Sequence, residues 1–157
     1  MKKAEKRTKL ELTKSLAEAL LENLGISAKL ELKEDKEKSI LVQIETADPG
    51  ILIGFHGETL ASFQLILSLM VYRQTKEWTR ILVNVGDYME KRQASLQQLA
   101  LSASQKVKFS GKEYFLPPMT SAERRIIHLI LAEDPEVKTE SEGEGYQRRV
   151  VVRPKKE

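Results

Sequence analysis

The order of apolar and polar side chains along the chain switches between a period near 3.6 and a period of 2, and each switch marks an element. Leu10, Leu16, Leu20 and Leu24 recur at helical spacing with Ala17 and Leu21 beside them, which predicts a helix over residues 8–24 stopped by Gly25. Ile26, Ala28, Leu30 and Leu32 alternate with their neighbours, as in a half-buried strand over 26–32. A charged turn at 33–38 and the β-forming run 39–46 complete a hairpin. Asp48-Pro49-Gly50 opens a short helix through Ile53, because the missing N–H of Pro49 costs nothing in a first turn. Gly54-Phe55-His56-Gly57 follows. Then a long helix over 58–74 carries a buried stripe of Leu60, Phe63, Leu67, Met70 and Val71, widened by Ile66 and Leu69. Residues 80–85 form a third strand.

A second segment begins at Gly86-Asp87. Asp87 and Glu90 have capping-box spacing ahead of a helix over 88–109, whose stripe is Leu96, Leu99, Ala100, Ala103 and Val107 and whose stop is Gly111. A short strand at 112–116 is halted by Pro117-Pro118. Thr120 with Glu123 forms another capping box, opening a helix to Ala132. A strand at 137–141, a turn at 142–145 and a final strand at 147–153 complete the chain, with a loose tail expected over 154–157. The order is α-β-β-α-α-β, then α-β-α-β-β: an α+β protein of two small modules, 8–86 and 87–153.

Composition narrows the function without naming it. The 157 residues are 41% hydrophobic and 31% charged, a globular balance. A chain of this length buries roughly two-thirds of its unfolded surface and needs no covalent staple. Lys and Arg total 26 against 23 Asp and Glu, a net charge of +3. So small an excess permits nucleic acid as a partner without demanding it, and the placement of the charges decides. The absence of cysteine removes disulfides, thiolate nucleophiles and zinc–thiolate sites. Residues 1–14 are charged and lack the apolar core of a signal peptide. The longest apolar stretch, 65–72, is broken by Ser68 and is too short to cross a bilayer. These features point to a cytoplasmic protein with no membrane insertion.

No set of residues offers catalysis. The two histidines, His56 and His128, lack metal-ligand partners at a known spacing, and neither a Walker A run nor a Gly-x-Ser-x-Gly elbow is present. The acidic stretch from Glu133 to Glu144 lacks the spacing of a calcium loop and reads as solvated. The expectation is a non-enzyme with no cofactor and no metal.

Two places have a pattern suited to a phosphate chain. Gly54 and Gly57 let the backbone approach a ligand closely, and the next helix offers unpaired N–H groups and the positive end of its dipole. Gly-x-x-Gly by itself is a weak signal that fits a tight helix–helix turn better; the element order around it favours the ligand reading. Phe55 and His56 occupy the positions between the glycines. Phe55 is able to stack on a base or to cover the groove, and His56 is mostly neutral near pH 7. Ile51, Ile53 and Ile44 are expected to line a base groove beside the loop. In the second module Arg124 and His128 stand four apart and share a helix face, with Ile126, Ile127, Leu129 and Ile130 towards the core. An arginine fork suits phosphate, and a histidine adds a donor. In the last strand, Arg149 and Arg153 share a face, with Val151 between them. If that strand lies beside the Arg124 helix, these arginines form one basic surface. The bland alternatives are a solvated helix face for Arg124 and His128, and edge-strand charge for the strand arginines.

The element order over the first module resembles the KH fold of the type II arrangement, whose Gly-x-x-Gly loop clamps the backbone of a single strand. RNA-binding KH loops usually carry a basic residue between the glycines, and Phe55 and His56 depart from that. Arg124-x-x-x-His128, with Glu142-Gly143-Glu144-Gly145 running into Arg148-Arg149-Val150-Val151, resembles the R-three-H nucleic-acid-binding domain. The two in this order, over about residues 8–153, resemble the bacterial Jag family, also called KhpB. The resemblance implies non-catalytic binding of single-stranded RNA, of the kind used by bacterial RNA regulators. It assigns nucleic-acid contacts to Gly54, Phe55, His56, Gly57, Arg124, His128, Arg149 and Arg153, and implies a small KH-domain protein as partner. Members often carry a further N-terminal domain, for which this chain has no room. Two other readings remain open: a protein-interaction scaffold that pairs through its KH half, and single-stranded DNA binding by the second module.

Overall fold

The computed structural model describes residues 8–155 and divides into two compact units, Met1–Met89 and Glu90–Glu157. The first unit contains α1 (Lys9–Asn23), β1 (Ala28–Glu34), β2 (Ile40–Thr46), α2 (Pro49–Ile53), a 3-10 turn (Phe55–Gly57), α3 (Glu58–Thr75) and β3 (Ile81–Val85). β1 pairs antiparallel with β2, and β2 pairs parallel with β3. A parallel neighbour requires a crossover. Here α2, the turn and α3 supply it, so the glycine loop sits midway between two strands that the sheet holds in register. Ile40, Val42, Ile44, Ile81, Val83 and Val85 pack against Ala17 and Leu21 of α1 and against Leu60, Phe63, Leu67 and Val71 of α3. The Gln64 side-chain oxygen accepts the Val83 N–H at 2.9 Å, which ties α3 to β3.

The first strand starts two residues later than its hydrophobic alternation suggests. Gly25 N–H donates to the Glu22 carbonyl and Ile26 N–H to the Leu21 carbonyl, each at 2.9 Å, so the end of α1 consumes those residues as its cap. The stripe on α3 is also narrower than expected. Ile66 and Leu69 were expected to widen the core contact, yet each is about half exposed, alongside Leu65 and Tyr72. The core meets α3 on one side only, and the face bearing these four residues lies outside it.

The second unit is built on α4 (Tyr88–Ser110), which starts within the last residues of the first. β4 (Tyr114–Phe115), α5 (Ser121–Leu131), β5 (Val137–Glu142), a 3-10 turn (Gly145–Gln147) and β6 (Arg149–Pro154) follow. Its sheet has the order β4-β6-β5, antiparallel throughout. Leu96, Ala100, Ala103 and Val107 of α4 join Leu116, Ile127, Leu131, Val137, Val150 and Val152 in one core. Thr120 and Glu123 make both bonds of the capping box that their spacing predicts. β6 begins at Arg149 because Gln147 and Arg148 give their N–H groups to Glu144 and Gly145 in the turn. The tail expected to be loose is held through Lys155: Pro154 pairs with Val137, and Lys155 N–H donates to Glu136 at 2.8 Å. Residues 156 and 157, and the charged run 1–7, lie outside the described residues. No described helix is long and apolar enough to cross a membrane.

Leu67 is fully buried between α3 and the sheet. Leu67→Ala is expected to destabilise the first unit by about 2–5 kcal/mol in urea unfolding. A loss below about 0.5 kcal/mol, the scale of surface substitutions, would contradict this placement of the core.

Candidate nucleic-acid interface

The glycine loop is shaped by contacts that tolerate no side chain. Gly54 has φ 69° and ψ −169°, a conformation open essentially to glycine alone. A Cβ there would lie 2.0 Å from Thr59 Oγ1. Gly57 has φ 85°, and a Cβ on it would lie 2.6 Å from the Tyr88 hydroxyl. Between them His56 takes φ 51°, and this turns its ring against that of Phe55 with centroids 4.0 Å apart and planes 15° from parallel. Phe55 is 73% exposed. The loop therefore presents a stacked aromatic pair, with the N-terminus of α3 behind it, where Glu58 N–H donates to the Phe55 carbonyl and no side chain caps the helix. Ile51 is exposed and Ile53 is half-buried beside this loop. Ile44 is fully buried, because its place on β2 faces α3, and this corrects the expectation that it lines a base groove.

In the second unit Arg124 donates from Nη1 to the Met119 carbonyl at 2.9 Å, and Met119 N–H donates to the Arg148 carbonyl at 3.2 Å. These two bonds fasten the first turn of α5 to the start of β6. Arg148 donates to the Gly143 carbonyl at 2.8 Å, and Arg149 donates to the carbonyl and side-chain oxygens of Gln147. Among the described residues, none of these three guanidinium groups meets a carboxylate. Each has five N–H donors and spends only one or two, so most of the donors and the whole charge remain for an anion.

His128 is more firmly held than its helix face suggests. Nδ1 lies 2.6 Å from Thr139 Oγ1 and Nε2 lies 2.9 Å from Ser141 Oγ. Both ring nitrogens are thus engaged by hydroxyls of β5, and the ring pins α5 to the sheet. Thr139 and Ser141 were not picked out from the sequence. Their signal was present as two hydroxyls one residue apart on a strand, which must share a face.

The expectation of a single basic surface is corrected by the strand's own alternation. Val150 and Val152 take the face beneath α5. Arg149, Val151 and Arg153 are therefore sent to the opposite face, away from Arg124 and His128. There Arg153 is surrounded by carboxylates: Nε donates to Glu113 at 2.8 Å, and its two terminal nitrogens donate to Glu140 and Glu142. Glu142 first, then Glu113, raise its pKa further. Arg153 thus acts as counterion to three acids, and Arg148, the neighbour left out of the expected site, is the one that reaches the Arg124 side. Among the described residues no group of three His, Asp or Glu side chains is placed to hold a metal.

Against this geometry the chain matches two family models: "KhpA/KhpB, KH domain" over residues 11–83, and the R-three-H domain over residues 94–154. It is 37% identical to the RNA-binding protein KhpB of Clostridium symbiosum over 135 residues, 86% of this chain and 60% of that protein. It is 36% identical to the RNA-binding protein KhpB of Lactiplantibacillus plantarum over 134 residues, 85% of this chain and 41% of that one. The protein of the same name from Bacillus subtilis is 29% identical over 158 residues, 99% of this chain and 76% of its own length. The chain thus spans only 60% and 41% of the first two of these relatives.

Burial, and then the charge of Arg124, hold the His128 pKa below its ordinary value of 6.5. A base with a lower pKa in the folded chain stabilises the fold above 6.5, and that contribution is lost as pH falls below 6.5 towards the folded value. Stability of the second unit is expected to drop across that window, and His128→Gln is expected to flatten the drop in a series of urea melts. An equal drop in the variant would place its source elsewhere.

Proposed function

The chain belongs to the KhpB family, with a KH domain of the KhpA/KhpB type ahead of an R-three-H domain, and from that premise we propose that it binds single-stranded RNA without chemistry on it. The observation that carries the reading is the pair Arg124 and Arg148, linked through Met119 and held by carbonyl oxygens with no acidic partner among the described residues, with Arg149 next in the chain on the strand's other face. Unneutralised guanidinium groups in fixed positions attract a phosphate chain and release its counterions. We assign the boundary between the working modules to Gly86-Asp87, ahead of α4. In the KH module Gly54 and Gly57 bring the backbone close to the strand, and Phe55 and His56 offer a ring face in place of the basic residue such loops usually carry. His128 keeps α5 seated on β5, and Arg153 pairs with three carboxylates on the other face of the strand.

One observation favours a second role beside the first. Leu65, Ile66, Leu69 and Tyr72 make an exposed apolar face on α3, which suits a protein partner such as another KH domain. RNA binding by phosphate contacts weakens steeply with salt, whereas a partner on that face would be held largely independently of it. The site is served without a metal or cofactor, and the protein is assigned to the cytoplasm.

Fluorescence anisotropy with a mixed-sequence single-stranded RNA, at two salt concentrations, tests the reading, with duplex RNA and single-stranded DNA as controls. Salt-sensitive binding that prefers the RNA single strand is expected. Arg124→Ala is expected to weaken it similarly across sequences and to reduce the salt slope by about 1. Wild-type affinity in that variant would remove Arg124 from the interface. Equal affinity for the DNA single strand would show that the 2′-hydroxyl is not read.

A further inference from the structure

Tyr146 lies in the turn Gly145–Gln147 with 96% of its surface exposed. An exposed ring on a loose loop is commonplace, but this turn is fixed. Gln147 N–H donates to the Glu144 carbonyl at 3.0 Å, and Arg148 N–H donates to the Gly145 carbonyl at 3.3 Å. The Arg148 guanidinium reaches back to the Gly143 carbonyl at 2.8 Å and closes the turn from its other side. Gly143 sits at φ 89°, and a Cβ on it would lie 2.8 Å from the Gln147 carbonyl oxygen, so the close approach needs glycine. The sequence spends two glycines and an arginine contact on holding a tyrosine in water, immediately before Arg148 and Arg149. An exposed aromatic ring on a held backbone, two and three residues ahead of guanidinium groups with no acidic partner among the described residues, has the composition of a single-strand subsite: a ring face for the base and charge for the phosphates.

We propose that Tyr146 is the stacking platform for one unpaired nucleobase, with Arg148 and Arg149 taking the phosphates beside it. The inference rests on the RNA-binding reading above and adds to it the nucleotide subsite of the second unit. A base already stacked in a duplex has no free face for the ring, so the subsite gives the preference for single strands a physical source. All four bases have a π-face, so the contact tolerates any sequence. It uses the ring and not the hydroxyl.

The test uses the full chain and a single-stranded RNA in which one base is 2-aminopurine, whose fluorescence is quenched on stacking. Tyr146→Ala is expected to weaken binding by about 5- to 150-fold and to leave the salt slope unchanged, because no charge is removed. Tyr146→Phe is expected to bind like wild type, and the quenching to appear with wild type and Tyr146→Phe but not with Tyr146→Ala. The exposed position makes loss of fold in either variant readable by circular dichroism and separable from loss of binding. Wild-type affinity and quenching in Tyr146→Ala would overturn the platform while leaving the RNA-binding reading intact. Equal losses in the alanine and phenylalanine variants would overturn it too, by assigning the contact to the hydroxyl. No binding by the wild-type chain at low salt would overturn both.

Discussion

β6 has to bury Val150 and Val152 against α5, and the arrangement of charge in the second unit follows from that requirement. In a strand, neighbours point to opposite faces, so once the valines are placed, Arg149 and Arg153 are committed to the far side. Arg153 then meets Glu113, Glu140 and Glu142, and its charge is spent. What is left uncompensated is Arg148 at the turn, Arg149 at the strand's first position, and Arg124 on α5, which is linked to Arg148 through Met119. In a chain with a net charge of only +3, the proposed attraction for phosphate rests on where its cations lack acids, not on their number.

For the same proposed ligand, the first unit offers different chemistry. Its loop contributes no cation. It contributes close backbone approach at Gly54 and Gly57 and a stacked pair of rings, of which Phe55 is largely exposed. In the second unit the aromatic contribution comes from Tyr146 on a turn fixed by glycine and arginine. Both units thus offer a ring face held by a constrained turn, and the guanidinium charge is concentrated in one of them.

Most of the element order was legible from periodicity and from glycine, proline and capping signals, because those are local. Thr120 with Glu123 and the stop at Gly111 are examples in which the signal and the bond it makes lie within four residues. The misplacements arose where a residue's partner is distant in sequence or belongs to a neighbouring element. Ile26 reads as strand by alternation but gives its N–H to the end of α1. Ile66 and Leu69 read as core by hydrophobicity, yet the rest of the first unit meets α3 on one side only. The same division runs through the site. The glycine loop and the arginine–histidine pair could be found from spacing. That His128 would be held by Thr139 and Ser141, and Arg153 by three glutamates, depends on the register of β5 against β6 and on the seating of α5, neither of which one strand's own pattern declares.

The central claim is that phosphate is taken by the arginines without acids and not by the arginine that has three. A titration of single-stranded RNA into the isotope-labelled chain, followed by the arginine Nε–H resonances, tests it directly. Arg124, Arg148 and Arg149 are predicted to shift in a salt-sensitive way while Arg153 stays where it is. A dominant shift at Arg153, with the other three unmoved, would contradict the account.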